Sequence, residues 1–117
     1  MKRDDTIYLQ HILNAVTDIE HSIKSLTIDT FKKNKDIVDA TLRRIEVIGE
    51  AAKNVSPSFK KKYAYIKWRN ITGTRDVLIH AYFSVDLDLV WEIVIKDLPK
   101  LKLELIALLK EENGNDL

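Results

Sequence analysis

Four residues of different chemistry lie within one eight-residue stretch of this 117-residue chain. They are a permanent cation, a carboxylate, an imidazole that titrates near neutral pH and a phenol: Arg75, Asp76, His80 and Tyr82. Asp76 and His80 are four residues apart and would be neighbours on a helix, so the carboxylate can orient the imidazole and favour its protonated form. The stretch predicts an acid–base pair, with a surface ion pair near a helix C-terminus as the alternative.

A strongly basic block leads into this stretch. Residues 53–75 carry seven Lys and Arg and no Asp or Glu, although the whole chain has a formal charge of only +1, and Tyr63, Tyr65 and Trp68 are interleaved with the cations. Cations beside aromatic faces suit single-stranded nucleic acid, since phosphates are neutralised while bases stack. The alternative is a solvated basic helix with Trp68 in the core. We predict RNA binding by five of the cations: Lys60, Lys61, Lys62, Lys67 and Arg69.

The other two histidines offer less chemistry. His11 and His21 fall on the first predicted helix without a second ligand at a recognisable metal spacing, and the chain has no Cys. We predict that both are surface or partly buried structural residues and that there is no metal site.

Apolar residues spaced by three and four predict the helices that must position these groups. A first long helix carries the apolar set between residues 9 and 26, with Asp4, Asp5 and Thr6 as capping residues. A polar stretch follows, in which Asp29 and Thr30 are the candidate caps for a second long helix. That helix carries the apolar set between residues 37 and 55.

Two further segments approach the chemical stretch. Ser56-Pro57 is typical of an N-cap followed by the first helical residue, so a short turn of helix is predicted through Tyr63. A third helix is expected from Ile66 to a point near residues 80–83. Gly73 lies within it, at a cost of roughly 1 kcal/mol relative to Ala, which close helix packing or a local bend could offset.

The last predicted helix is capped by Asp86 or Asp88. Pro99 should kink or split it, because proline lacks a backbone donor and clashes with the preceding turn. Residues 4–112 are predicted to form one all-α domain, an antiparallel bundle of about four long helices plus one short helix, followed by a polar C-terminal tail, residues 113–117.

The composition excludes several other classes. Only three Gly and two Pro disfavour a β-sandwich or a Gly-rich nucleotide loop. The first residues lack the apolar run of a signal peptide, and no segment reaches the ~20 apolar residues of a membrane helix. A cytoplasmic protein that does not act on a membrane is expected.

The string Arg75-x4-His80-x-Tyr82 resembles the RX4HXY motif of HepT-like ribonuclease toxins, a branch of the HEPN (higher eukaryotes and prokaryotes nucleotide-binding) superfamily. Other blocks resemble the family in the same order, from about residue 4 to about residue 105: Ile7–Leu13, Arg44–Ala52, Ile66–Arg75, Val90–Ile93 and Asp97–Pro99. The motif in register with Gly-Glu, Trp-Arg-x-Ile-x-Gly and Asp-Leu-Pro is specific, whereas Arg-x4-His alone is weak.

The resemblance implies a metal-independent endoribonuclease toxin, homodimeric and without a cofactor, whose partner is a minimal nucleotidyltransferase antitoxin. It implies that His80 is the general acid or base and that Arg75 holds the scissile phosphate. Asp76 would orient one of them, and Tyr82 would line the pocket and be adenylylated by the antitoxin. A non-catalytic helical module that binds a nucleotide or a partner protein is the alternative.

Helix geometry bears on the oligomeric state. On a regular helix Arg75 and His80 lie about 140° apart, so they do not share a face within one chain. One chain therefore supplies only half of a catalytic set. Convergence across a two-fold axis, or a helix end at His80, would bring the groups together.

Overall fold

The computed structural model describes residues 3–73 and 86–115, and the side chains of residues 5–73 and 86–114. All regular structure in these residues is helical, which confirms the all-α prediction. The segments, in chain order, are α1 Arg3–Ile23, α2 Ile28–Lys33, α3 Lys35–Asn54, α4 Pro57–Lys62, α5 at residues 68–73, α6 Leu87–Glu92, a π-helical turn Ile93–Asp97 and α7 Leu98–Asn115. The end predicted for the third helix, near residues 80–83, lies outside the described residues.

The two long helices α1 and α3 make the most extensive contact between described helices. Their predicted apolar stripes are the buried faces, as shown by Leu9, Ile12 and Val16 on α1 and by Leu42 and Ile45 on α3. Each fully buried Leu, Ile or Val stabilises the fold by about 1.5–3 kcal/mol. Other described helices pack against this pair: α7 contacts α1, and α2 contacts α3.

The polar stretch between α1 and α3 contains a short helix that the sequence analysis missed. Thr27 caps α2 through a capping box with Thr30, and Asn34 caps α3 by accepting a hydrogen bond from the Ile37 backbone. The prediction of Asp29 and Thr30 as caps of the second long helix is wrong, because both lie in the first turn of α2. Six residues were too few to show a helical period.

The beginning of α1 also differs from the prediction. The chain is helical from Arg3, so residues 4–6 lie inside the helix and do not precede it as caps. Asp5 is buried, and its two carboxylate oxygens accept hydrogen bonds of 2.8 Å from the backbone N–H and the hydroxyl of Ser56. Ser56 in turn caps α4, with Pro57 as its first residue, as predicted. This contact joins the two helices across 51 positions of sequence.

The C-terminal part changes its helical type just before Pro99. Of the two predicted caps, Asp86 caps α6 by accepting from the Leu89 N–H, whereas Asp88 lies in the first turn of that helix. The π-helical turn follows, in which the Leu98 N–H donates to the Ile93 carbonyl, five residues back. A regular α-turn would press the proline ring against the carbonyl of residue 95, and the wider turn accommodates it. A split at Pro99 is not found: α6, the π-helical turn and α7 follow one another without a break, and the change of helical type lies before the proline.

Helix α7 extends further than expected. It continues to Asn115, so the first three residues of the predicted tail are helical. Leu101, Leu105 and Leu108 are buried along one face, and Glu112 continues the same spacing into the core. None of the described helices is both long enough and apolar enough to cross a membrane.

Candidate nucleic-acid interface

The four residues of the predicted chemical centre, Arg75, Asp76, His80 and Tyr82, lie outside the described residues. What the structure does describe is the chain on either side of them. Helix α5 leads in through residue 73, and Asp86, which caps α6, follows.

Buried aromatic residues anchor the entry to α5. The Trp68 indole N–H donates to the Tyr63 carbonyl at 3.1 Å, and its ring meets the edge of Phe59 on α4. The backbone between the helices is held by a bond from the Trp68 N–H to the Ile66 carbonyl at 2.9 Å. The first turn of α5 therefore has a fixed position against α4.

The prediction that Tyr63 and Trp68 stack on RNA bases is wrong. Tyr63 and Trp68 are buried in the core, so neither offers a face to an RNA base. Tyr65 is different: 58% of it is exposed. Amphipathic aromatic residues pack in the core as readily as they bind ligands, and sequence spacing did not separate these cases. The solvated-helix alternative is correct in placing Trp68 inside.

The lysines of α4 differ from one another. Lys61 is exposed, whereas the half-buried Lys60 directs its ammonium to the Lys53 carbonyl at 3.5 Å. Lys62 donates to Glu112 at 2.8 Å and lies 5.4 Å from the centre of the Tyr63 ring. Lys67 and Arg69, beyond α4, are exposed. The fixed role of Lys62 makes it the least available of the five predicted RNA-binding cations.

Glu112 is a structural residue that the sequence analysis missed. It is only 2% exposed and accepts hydrogen bonds from the Lys62 ammonium and from the Tyr63 hydroxyl, the latter at 2.7 Å. These hydrogen bonds hold the pKa of the Glu112 carboxyl below its usual value. Burial, and then the bond to Glu112, raises the pKa of the Tyr63 phenol far above its usual value. The sequence signal for the burial of Glu112 is its helical spacing from the apolar residues Leu101, Leu105 and Leu108.

A cleft of about 220 Å³ opens beside α5. Its apolar floor includes Ile45 and Ile48 of α3. Its polar lining comes from two sides of the fold: Tyr65, Lys67 and Asn70 near α5, and Asp97, Lys100 and Glu104 at the π-helical turn and α7. Tyr65 and Lys67 belong to the basic block that the sequence shows, whereas Asp97, Lys100 and Glu104 come from a segment about 30 residues later in the chain.

The two described histidines lie where they were expected. His11 and His21 are both exposed, and His11 contacts the Tyr8 ring edge-on with 6.4 Å between ring centres. Across residues 3–73 and 86–115, no three His, Asp or Glu side chains are grouped in a way that could hold a metal ion.

The sequence of this chain is similar to a known protein family and to several named proteins. A family model described as "Ribonuclease HepT-like" matches residues 12–108. A Methanocaldococcus jannaschii protein named "Gamma-glutamylcyclotransferase and putative RNase" is 47% identical over 115 residues, which are 98% of this chain and 52% of that protein. The chain thus spans about half the length of that relative.

Two other relatives are matched over nearly their whole length. A Thermococcus cleftensis protein named "Probable ribonuclease HepT" is 40% identical over 87% of this chain and 93% of its own. A "Putative RNase" of Caldanaerobacter subterraneus subsp. tengcongensis is 35% identical over 90% of this chain and 94% of its own. No solved structure gave a significant match.

Proposed function

Since this chain belongs to the ribonuclease HepT-like family, we propose that it is a metal-independent endoribonuclease that acts as the toxin of a toxin–antitoxin pair. The observation that carries the proposal is the Arg75-x4-His80-x-Tyr82 motif, which falls inside the matched region 12–108. The fixed entry of α5 supports it, because the described part of this helix leads directly to the motif.

The proposed reaction is an attack of an RNA 2′-oxygen on the adjacent phosphorus. The bond from phosphorus to the 5′-oxygen breaks, leaving a 2′,3′-cyclic phosphate on one fragment and a 5′-hydroxyl on the other. One group must take the 2′-OH proton and another must deliver a proton to the leaving 5′-oxygen. A neutral and a protonated imidazole, from two copies of His80, would supply both steps. Arg75 would stabilise the charge on the phosphate oxygens.

This reaction requires a homodimer in which the two motifs share one cleft. The angular separation of Arg75 and His80 on a regular helix supports it. Asp76 then orients one of these groups, and Tyr82 lines the pocket. Light scattering at micromolar concentration should give a dimer, and a monomeric protein that still cleaves RNA would contradict this part of the proposal.

We also propose that a minimal nucleotidyltransferase antitoxin controls the enzyme by adenylylating Tyr82. The phenol oxygen would attack the α-phosphorus of ATP, pyrophosphate would leave, and the phenolic proton would pass to solvent. The adduct places a negative phosphodiester near Arg75 and blocks the RNA phosphate. Peptide mass spectrometry after incubation with the antitoxin, ATP and magnesium should find the adduct on Tyr82. An adduct on Tyr65, which is exposed, would contradict the assignment.

Cleavage of RNA by purified protein in excess EDTA tests the activity itself. The wild type should cleave, His80→Ala should not, and His21→Ala should cleave like the wild type, because His21 is an exposed histidine at the end of α1. Equal cleavage by the His80→Ala protein would show a contaminating nuclease. RNA binding without cleavage in all preparations would favour the non-catalytic binding module.

A further inference from the structure

The cleft beside α5 has the size of a site for one small planar group. Its volume of about 220 Å³ is below the range of about 300–1,000 Å³ typical of drug-sized ligands. The floor is apolar, through Ile45 and Ile48, and the polar groups stand around it. An apolar floor with a polar rim suits a flat heterocycle that has an apolar face and hydrogen-bonding edges.

Tyr65 gives this cleft an exposed aromatic wall. It is the most exposed aromatic residue of the described chain, at 58%, and its hydroxyl makes no hydrogen bond within that part of the chain. The ring is nevertheless held in place, because it meets the buried Tyr63 ring edge-on with 6.2 Å between ring centres and 81° between planes. A fixed, exposed ring is a stacking partner that loses little conformational entropy on binding.

Two lysines line the cleft together with Tyr65, and they come from separate segments of the chain. Lys67 precedes α5, and Lys100 lies on α7. Both are exposed, and neither ammonium group has an ion-pair or hydrogen-bond partner among residues 3–73 and 86–115. By contrast, Lys62 and Lys102 are each bonded to a glutamate at 2.8 Å. Lys67 and Lys100 are therefore free to neutralise an anionic ligand.

We propose that this cleft binds one unstacked base of a single-stranded RNA, with Tyr65 stacking on the base and Lys67 and Lys100 contacting the phosphates on either side of it. The proposal rests on the proposed function, since it takes RNA to be the substrate. It assigns a base-recognition role to a site lined by three segments of the chain. Exposed cations around an aromatic face are the usual means of holding single strands.

The cleft also carries a preference among bases. Asp97 and Glu104 line the same wall as Lys100, and an ionised carboxylate only accepts hydrogen bonds. Adenine and cytosine present an amino group with two N–H donors, whereas uracil presents a carbonyl oxygen at the same edge position, which a carboxylate repels, and keeps only its N3–H as a donor. The site should therefore bind adenine and cytosine better than uracil.

Binding of fluorescently labelled RNA octamers tests the stacking role. Oligo(A) and oligo(U) are titrated into protein that carries His80→Ala, so that cleavage does not interfere. Tyr65→Ala should weaken oligo(A) binding by about 10- to 100-fold, as expected for the loss of one stacked base, while Tyr65→Phe retains the ring and should change it less than 3-fold. Equal affinities of the Ala and Phe variants, with unchanged urea unfolding midpoints, would overturn the proposal.

The two lysines and the two carboxylates provide independent readouts. Lys67→Ala and Lys100→Ala should each lower the slope of log affinity against log salt by about 0.7, and Lys35→Ala, an exposed lysine outside the cleft, should not. Asp97→Asn with Glu104→Gln should reduce the preference for oligo(A) over oligo(U), because amide groups can donate to uracil. Unchanged slopes together with an unchanged preference would contradict the site.

The experiment separates failure of this inference from failure of the proposed function. Cleavage by the wild type, together with Tyr65→Ala affinity equal to that of Tyr65→Phe, would overturn the base site and leave the ribonuclease standing. Absence of both RNA binding and RNA cleavage in the wild type would overturn both. A change in oligomeric state on Tyr65→Ala, with RNA affinity unaltered, would show that the cleft serves a contact between copies.

Discussion

Removing the Tyr63 hydroxyl should destabilise the protein, although Tyr63 lies outside the proposed catalytic motif. The hydroxyl donates to Glu112 at 2.7 Å, and both side chains are almost completely buried. A hydrogen bond to a charged group contributes about 1.5–3 kcal/mol. We therefore expect Tyr63→Phe to lose about 1.5–3 kcal/mol of unfolding free energy at pH 7.

Urea unfolding followed by circular dichroism measures this loss, and Tyr65→Phe is its matched control. The Tyr65 side chain is two residues away and exposed, and its hydroxyl has no hydrogen bond in the described part of the chain, so its removal should change stability by less than about 0.5 kcal/mol. The salt bridge from Lys62 to Glu112 contributes less than the Tyr63 bond, because half of the Lys62 side chain is exposed to solvent.

A double-mutant cycle identifies the partner. If Tyr63 acts through Glu112, the effects of Tyr63→Phe and Glu112→Gln should differ from additivity by at least about 0.5 kcal/mol. A loss below about 0.5 kcal/mol for Tyr63→Phe, or additive effects in the cycle, would refute the role of Glu112 as the residue that fixes α7 to α4.

Three further predictions concern pH, the lysines and the glycine beside the motif. Because the folded-state pKa of Glu112 is lowered, the stabilisation that its carboxylate provides should be fully present above its unfolded pKa of about 4.3 and be lost as the pH falls through the folded value. Acid titration should show that the stability difference between wild type and Glu112→Gln shrinks below about pH 4. A difference that stays constant with pH would contradict this prediction. Lys61→Glu should flatten the salt dependence of RNA binding without loss of stability. Lys62→Glu should also lower the urea unfolding midpoint, because it brings a second carboxylate to Glu112. Equal unfolding midpoints of the two variants would show that the contact between Lys62 and Glu112 is unimportant. Gly73→Ala should stabilise the protein by about 0.5–1 kcal/mol, because residue 73 is helical and an added Cβ would meet no described atom within 4 Å; a loss of stability would point to a local bend.

The parts of the fold that were predictable are those with local causes. The three- and four-residue spacing of buried residues predicted the two long helices α1 and α3, since one face of each packs on the other, but not the residues at which they begin. The cap at Ser56 and the cap at Asp86 each depend on a side chain bonding a backbone N–H three residues on. The change of helical type before Pro99 follows from the proline ring, which a regular α-turn would press against the carbonyl of residue 95.

Contacts between distant residues were the part that sequence reasoning missed. From the sequence alone Asp5 is a candidate helix cap. Only the contact with Ser56 makes it a buried hydrogen-bond acceptor. Glu112 keeps the apolar spacing of the last helix, but only the contacts with Lys62 and Tyr63 make it a buried acceptor. A buried carboxylate depends on donors from elsewhere in the chain, and spacing does not show where those donors come from.

The same reason limits what could be predicted of the candidate site. The basic block was visible as a run of charge, but its division into bonded and free cations depends on the position of α7. The cleft joins residues near positions 45, 65 and 100, which no local pattern connects. The predicted roles of Arg75 and His80 remain predictions, since these residues lie outside the described part of the chain.

Cleavage of an RNA oligonucleotide that carries a single 2′-deoxy substitution tests the central claim most directly. In excess EDTA the wild type should cleave the all-ribose strand to a 2′,3′-cyclic phosphate and a 5′-hydroxyl, and it should fail only at the bond next to the 2′-deoxy position. Mass spectrometry of the fragments identifies both ends. Cleavage at the substituted bond, or fragments that carry a 5′-phosphate, would contradict attack by the 2′-oxygen and with it the proposed roles of His80 and Arg75.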